Sequence, residues 1–152
     1  MAQKDATPFT EAANKTLLNE LNWEDTRDFE AAARGFIASL DEPVITSDDG
    51  RPAWNLAAYP FLAEETAPPS VNPSLWRISR LNALYHGLFQ VSDGIYQIRG
   101  FDLSVMSIIE TDTGYIVVDP LVTVPTAKAG MELVYRHLGR KPIVAVIYTH
   151  SH

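Results

Sequence analysis

The chain has no cysteine. That excludes disulfides, thiol nucleophiles and thiolate metal ligands, so any metal bound here must be held by histidine and carboxylate. No apolar run reaches the roughly 18 residues that a membrane-spanning helix needs. The opening stretch, MAQKDATPFTEAANKTLLNE, has one early lysine and no apolar segment of signal-peptide length. The expectation is a cytoplasmic protein, with a periplasmic or secreted one left open if the start lies elsewhere. Positive charge is scarce: 12 Lys and Arg against 19 Asp and Glu give a net charge of −7. Phosphate binding needs clustered cations, so this balance speaks against a nucleic-acid partner, and it gives no attraction for anionic membranes. An anionic substrate would have to be held by local cations rather than by the overall field.

What is present suits a globular protein. The 152 residues are enough for one ordinary domain, 46% of them are hydrophobic and 20% charged. Two unlike regions follow one another. Residues 1–90 are polar, helical in pattern and broken by prolines, whereas residues 91–152 are rich in β-branched side chains.

In the first region, Ala13, Leu17, Leu18 and Leu21 predict a helix over Thr10–Leu21. A second helix is expected over Trp23–Ser39, weakened by Gly35. Pro43, Pro52, Pro60, Pro68 and Pro69 mark residues 41–72 as an extended arm with anchors at Trp54, Tyr59 and Phe61. A third helix fits Pro73–Phe89, since proline is tolerated in a first helical turn.

In the second region, strands are expected at Gly94–Ile98, Leu103–Glu110 and Tyr115–Val118, joined by links short enough for an antiparallel meander. A helix over Thr126–Leu138 is stopped by Gly139, and Ile143–Tyr148 is a continuous apolar run of the buried-strand kind. The order is β-β-β-α-β, and the last strand opens into Thr149-His150-Ser151-His152.

Alternate side chains of an extended backbone point the same way, so His150 and His152 can face one point beyond the strand end. Neutral imidazole binds zinc at about 2.0–2.1 Å, and strand ends carry sites in layered α/β folds. Two histidines alone do not complete a zinc site, and a solvated chain end explains the same pair.

In its context, strand-Thr-His-Ser-His resembles the opening of the HxHxDH motif of the metallo-β-lactamase superfamily. Upstream segments are similar more narrowly to the alkyl sulfatases of that superfamily, the SDS-hydrolysing type. They are Gly94-Ile95-Tyr96-Gln97-Ile98-Arg99-Gly100-Phe101-Asp102-Leu103-Ser104, Thr113 to Leu121, the helix from Trp76 to Phe89, and Asp28-Phe29-Glu30 through Gly35-Phe36-Ile37. The resemblance covers nearly the whole chain. It departs at Val105, where the family commonly has Asn.

The resemblance implies the front portion of such an enzyme. The fold would be α/β, a partial metallo-β-lactamase-like αββα arrangement starting near residue 91, preceded by the helical region and Pro-rich arm. It implies hydrolysis of alkyl sulfate esters, such as dodecyl sulfate, to alcohol and sulfate at a site of two metal ions, usually zinc, in a homodimer when complete. His150 and His152 match the first two ligands of one metal. The later ligands have no counterpart here, so the expectation is an incomplete, inactive fragment.

Other candidates carry alternatives. Asp119 is either a carboxylate that orients a ligand histidine or a turn residue. Arg99 and Asp102 either line a pocket for an anionic head group or form an ordinary loop ion pair. His137 in a last helical turn and His86 on a helix are explained without function. Trp54, Tyr59, Phe61, Trp76, Tyr85 and Phe89 could contact an alkyl chain or anchor core and arm. Two other functions stay open: a thioesterase or lactonase of the same fold, and a non-catalytic interaction fragment.

Overall fold

The structure is a computed structural model that describes residues 5–151. It divides into two compact units, one of residues up to Ala32 with Tyr59–Leu84, the other of Ala33–Ala58 with Tyr85 onward.

The first unit is built from α1 (Pro8–Glu20), α2 (Arg27–Ala33), a short 3-10 turn (Pro60–Ala63) and α3 (Pro73–Leu84). Thr7 caps α1 by accepting from the Thr10 amide. Trp76 is the buried anchor of α3, and its indole donates to the Glu64 carbonyl at 3.1 Å. Arg77 sits over the Phe29 ring and pairs with Asp28 at 2.6 Å.

The second unit is a six-stranded sheet in the order β1 (Phe36–Ala38), β4 (Gly87–Ser92), β5 (Ile95–Arg99), β6 (Met106–Glu110), β7 (Tyr115–Val118) and β8 (Ile143–Ile147), with a separate hairpin of β2 (Val44–Thr46) and β3 (Pro52–Asn55). Neighbours run antiparallel as far as β7. β8 alone is parallel to its neighbour, because α4 (Val124–Leu138) carries the chain back across the sheet between β7 and β8. The α/β class and the β-β-β-α-β order expected from the sequence are both present.

Period-two alternation explains the core. Leu88, Ile98, Met106, Ile108, Tyr115 and Val117 are buried on cross-strand positions linked by the register. Met131, Leu133 and Val134 of α4 complete the same cluster, and Ile45 of the hairpin joins it. Each such aliphatic side chain, fully buried, contributes about 1.5–3 kcal/mol. α4 starts at a Thr123 cap with a reciprocal capping box to Thr126, two residues before the expected start.

Three expectations fail, the first being the burial of the last strand, whose Ile143, Val144, Val146 and Ile147 are exposed. The helix expected over Trp23–Ser39 stops at Ala33, and Phe36–Ala38 becomes an edge strand on β4. Gly35 takes φ +74°, and its carbonyl accepts from the Gln90 amide at 2.7 Å. The helix expected to run to Phe89 ends at Leu84, and Gly87 opens β4 with φ +134°. Within residues 41–72, Ile45 is 4% exposed and the Trp54 indole donates to the Gly100 carbonyl at 3.0 Å, so this hairpin contributes to the core.

Candidate functional site

The β7–β8 ladder decides where the chemistry-bearing residues meet. Its last register pair is Val118↔Ile147, and the Asp119 amide extends it by donating to the Ile147 carbonyl at 2.9 Å. The ends of the two strands therefore lie side by side. Asp119 has φ +50° and Leu121 φ +67°, with the Leu121 amide donating to the Asp119 carbonyl at 2.7 Å. Aspartate is among the few residues that enter this left-handed region readily, and the tight turn aims its carboxylate at the neighbouring strand end.

That carboxylate holds Thr149 at two points. The Thr149 amide donates to Oδ1 at 2.9 Å, and the Thr149 hydroxyl donates to Oδ2 at 2.6 Å. The same hydroxyl lies 2.7 Å from Nδ1 of His150. Asp119 is half-buried while Thr149 and His150 are exposed, so the imidazole faces the open side of the strand end. Asp119 is thus joined to His150 through Thr149. Thr149 is the residue that sequence reasoning passed over. Its place directly before the first histidine, beside a strand-ending Asp, was the available signal.

His152, the other expected ligand, lies outside the described residues. Imidazole suits a borderline metal ion such as zinc, so the chemistry of His150 fits a ligand role. Among the described residues, however, no group of three or more His, Asp or Glu side chains could hold an ion. One imidazole, joined to a carboxylate through Thr149, does not make a metal site by itself.

Arg99 and Asp102 point to different partners. Asp102 Oδ1 accepts from the Ser104 amide at 2.7 Å, while Oδ2 accepts from the Val122 amide and the buried Thr126 hydroxyl, both at 2.8 Å. It therefore ties the loop after β5 to the loop that leads into α4. Arg99 stacks over the Phe89 ring at 4.5 Å and donates from Nε to Gln97 at 2.9 Å. Burial pushes its guanidinium below the ordinary arginine range. Val105 is exposed in the loop before β6. His86 is half-buried against Ser39, 2.7 Å from Nδ1 to Oγ, and His137 is exposed in the last turn of α4.

Comparison with known proteins agrees with this architecture in two steps. Residues 99–152 match the family model of the Metallo-beta-lactamase superfamily, a segment that holds β6, β7, α4, β8 and the strand end with Asp119 and His150. Within it, the likeness is to alkyl sulfatases. The chain is 48% identical over 149 residues to Alkyl/aryl-sulfatase BDS1 of Saccharomyces cerevisiae, covering 98% of this chain and 23% of that protein. It is 49% identical over 150 residues to a Linear primary-alkylsulfatase of Pseudomonas sp, covering 98% of this chain and 22% of that protein. The solved structure of the stereoselective inverting sec-alkylsulfatase Pisa1 from Pseudomonas sp. superposes with a TM-score of 0.92 at 44% identity, over 99% of this chain and 24% of that one. The chain thus spans about a quarter of the length of the relatives it matches. These likenesses bear out the resemblance to the alkyl sulfatases carried by the sequence motifs.

Proposed function

We propose that this chain is part of an alkyl sulfatase that hydrolyses alkyl sulfate esters to an alcohol and inorganic sulfate, with long-chain esters such as dodecyl sulfate among its substrates. The observation that carries the proposal is the seating of His150 at the open end of the parallel β7–β8 pair, braced by Asp119, in a chain so similar to alkyl sulfatases along its length. In this reading His150 and His152 supply two ligands to a zinc ion of a two-metal site. Asp119 holds the first of them in place, and Arg99 and Asp102 are the candidate residues beside the substrate pocket. When bound, the metal supplies activated water at neutral pH and a positive charge for the sulfate-ester oxygens. The complete protein is proposed to be a homodimer. The 152-residue chain alone is proposed to lack turnover.

The test is release of inorganic sulfate from dodecyl sulfate by a polypeptide that carries this segment at the length of its relatives. Turnover that His150→Ala abolishes is the expected result, with Asp119→Asn weakening zinc binding about 10–100-fold. Hydrolysis of a thioester or lactone with no sulfate release would overturn the sulfatase assignment. Turnover by the 152-residue chain itself would overturn its proposed inactivity.

A further inference from the structure

We propose that Thr149 is a positioning residue whose hydroxyl relays the Asp119 carboxylate to His150 and fixes which ring nitrogen carries the proton. The inference rests on the reading of His150 as a metal ligand, and it deepens that reading by assigning the ligating atom.

The argument is a count of protons. A threonine hydroxyl has one hydrogen to give and two lone pairs. An ionised carboxylate can only accept, so the 2.6 Å contact between Thr149 Oγ and Asp119 Oδ2 uses that hydrogen. The hydroxyl then has only lone pairs left for the 2.7 Å contact with His150 Nδ1. A hydrogen bond there needs its proton from the ring, so Nδ1 is the protonated nitrogen. In a neutral imidazole this leaves the lone pair on Nε2, the atom that would bind a metal. Carboxylate to hydroxyl to imidazole is thus a relay of hydrogen bonds in one direction, which fixes both tautomer and ring orientation.

The geometry is braced from the backbone. The Thr149 amide also donates to Asp119, so main chain and side chain of the threonine are both pinned, and its hydroxyl cannot rotate away without losing the carboxylate. Asp119 is itself held by its amide on Ile147 and by the tight turn to Leu121. A valine at 149 keeps the shape and deletes the relay, while a serine keeps the hydroxyl.

The test needs neither metal nor substrate. Long-range proton–nitrogen correlation spectra of the 15N-histidine-labelled chain, recorded at a pH above imidazole titration, report the tautomer directly. His150→Gln assigns the signal. The expected result is an Nδ1-protonated His150 in the unaltered chain and in Thr149→Ser, with Thr149→Val moving toward the Nε2-protonated form that free imidazole side chains favour. An Nε2-protonated ring in the unaltered chain, or a Thr149→Val spectrum identical to it, overturns the relay. Should Thr149→Val not fold, the tautomer of the unaltered chain decides alone. Because nothing in the measurement depends on catalysis, loss of the sulfatase assignment and loss of the relay are separate results.

Discussion

The polar residues at 86, 102 and 119 show how a short side chain acquires a role from its position. Asp119 was legible in the sequence as either a turn residue or a brace for a histidine; it takes a left-handed turn that directs its carboxylate to Thr149. The role of Thr149 was not legible, because it depends on contact with a residue 30 positions away. The bonds made by Asp102 were hidden for the same reason, since its partner Thr126 lies 24 positions on. His86 gives a prediction at this scale. Burial pushes its imidazole below the ordinary value of 6.5, so the unfolded chain binds the proton more readily than the folded one. The stability tied to neutral His86 is therefore complete above that ordinary value and is lost as pH falls through the lowered one. Melting temperature should decline on going from about pH 7.5 to about 5.5, and His86→Gln should flatten that decline. An unchanged slope in the variant would remove His86 from the acid response.

At the level of elements, the segments with strong periodicity and clear stops were readable. Tyr115–Val118 and the α4 stretch ending at Leu138 fall where alternation and helical spacing place them. The failures sit at Gly35 and at residues 85–89, where tertiary pairing overrides local helical pattern. Phe36 is apolar at helical spacing, yet it lies edge-on to Phe89 at 5.3 Å because β4 offers it a strand partner. Gly35 makes this switch possible. A Cβ there would lie 2.0 Å from the Gln90 carbonyl oxygen, at a φ that L-residues disfavour. Gly35→Ala should destabilise the second unit by at least about 2 kcal/mol. Thermal unfolding monitored by near-ultraviolet circular dichroism should show a melting temperature lower by several degrees. A variant that melts with the parent would mean that β1 does not depend on this glycine.

For the whole molecule, β8 is the outermost strand of its sheet and carries Ile143, Val144, Val146 and Ile147 at 43–49% exposure. An apolar outer strand with an unpaired backbone edge is a template for association. The isolated chain should self-associate with rising concentration in sedimentation velocity, and Val144→Lys should shift it toward monomer. A monodisperse parent chain across that range would contradict the prediction. The same strand has another consequence. Asp119 and His150 are neighbours because a crossover helix returns the chain parallel to β7, and the ladder that aligns Val118 with Ile147 is made of main-chain atoms alone. The address of the site is written in the backbone, and the chemistry delivered there in a handful of side chains. Side chains at such a strand end can differ while the main-chain route that leads to it stays unchanged.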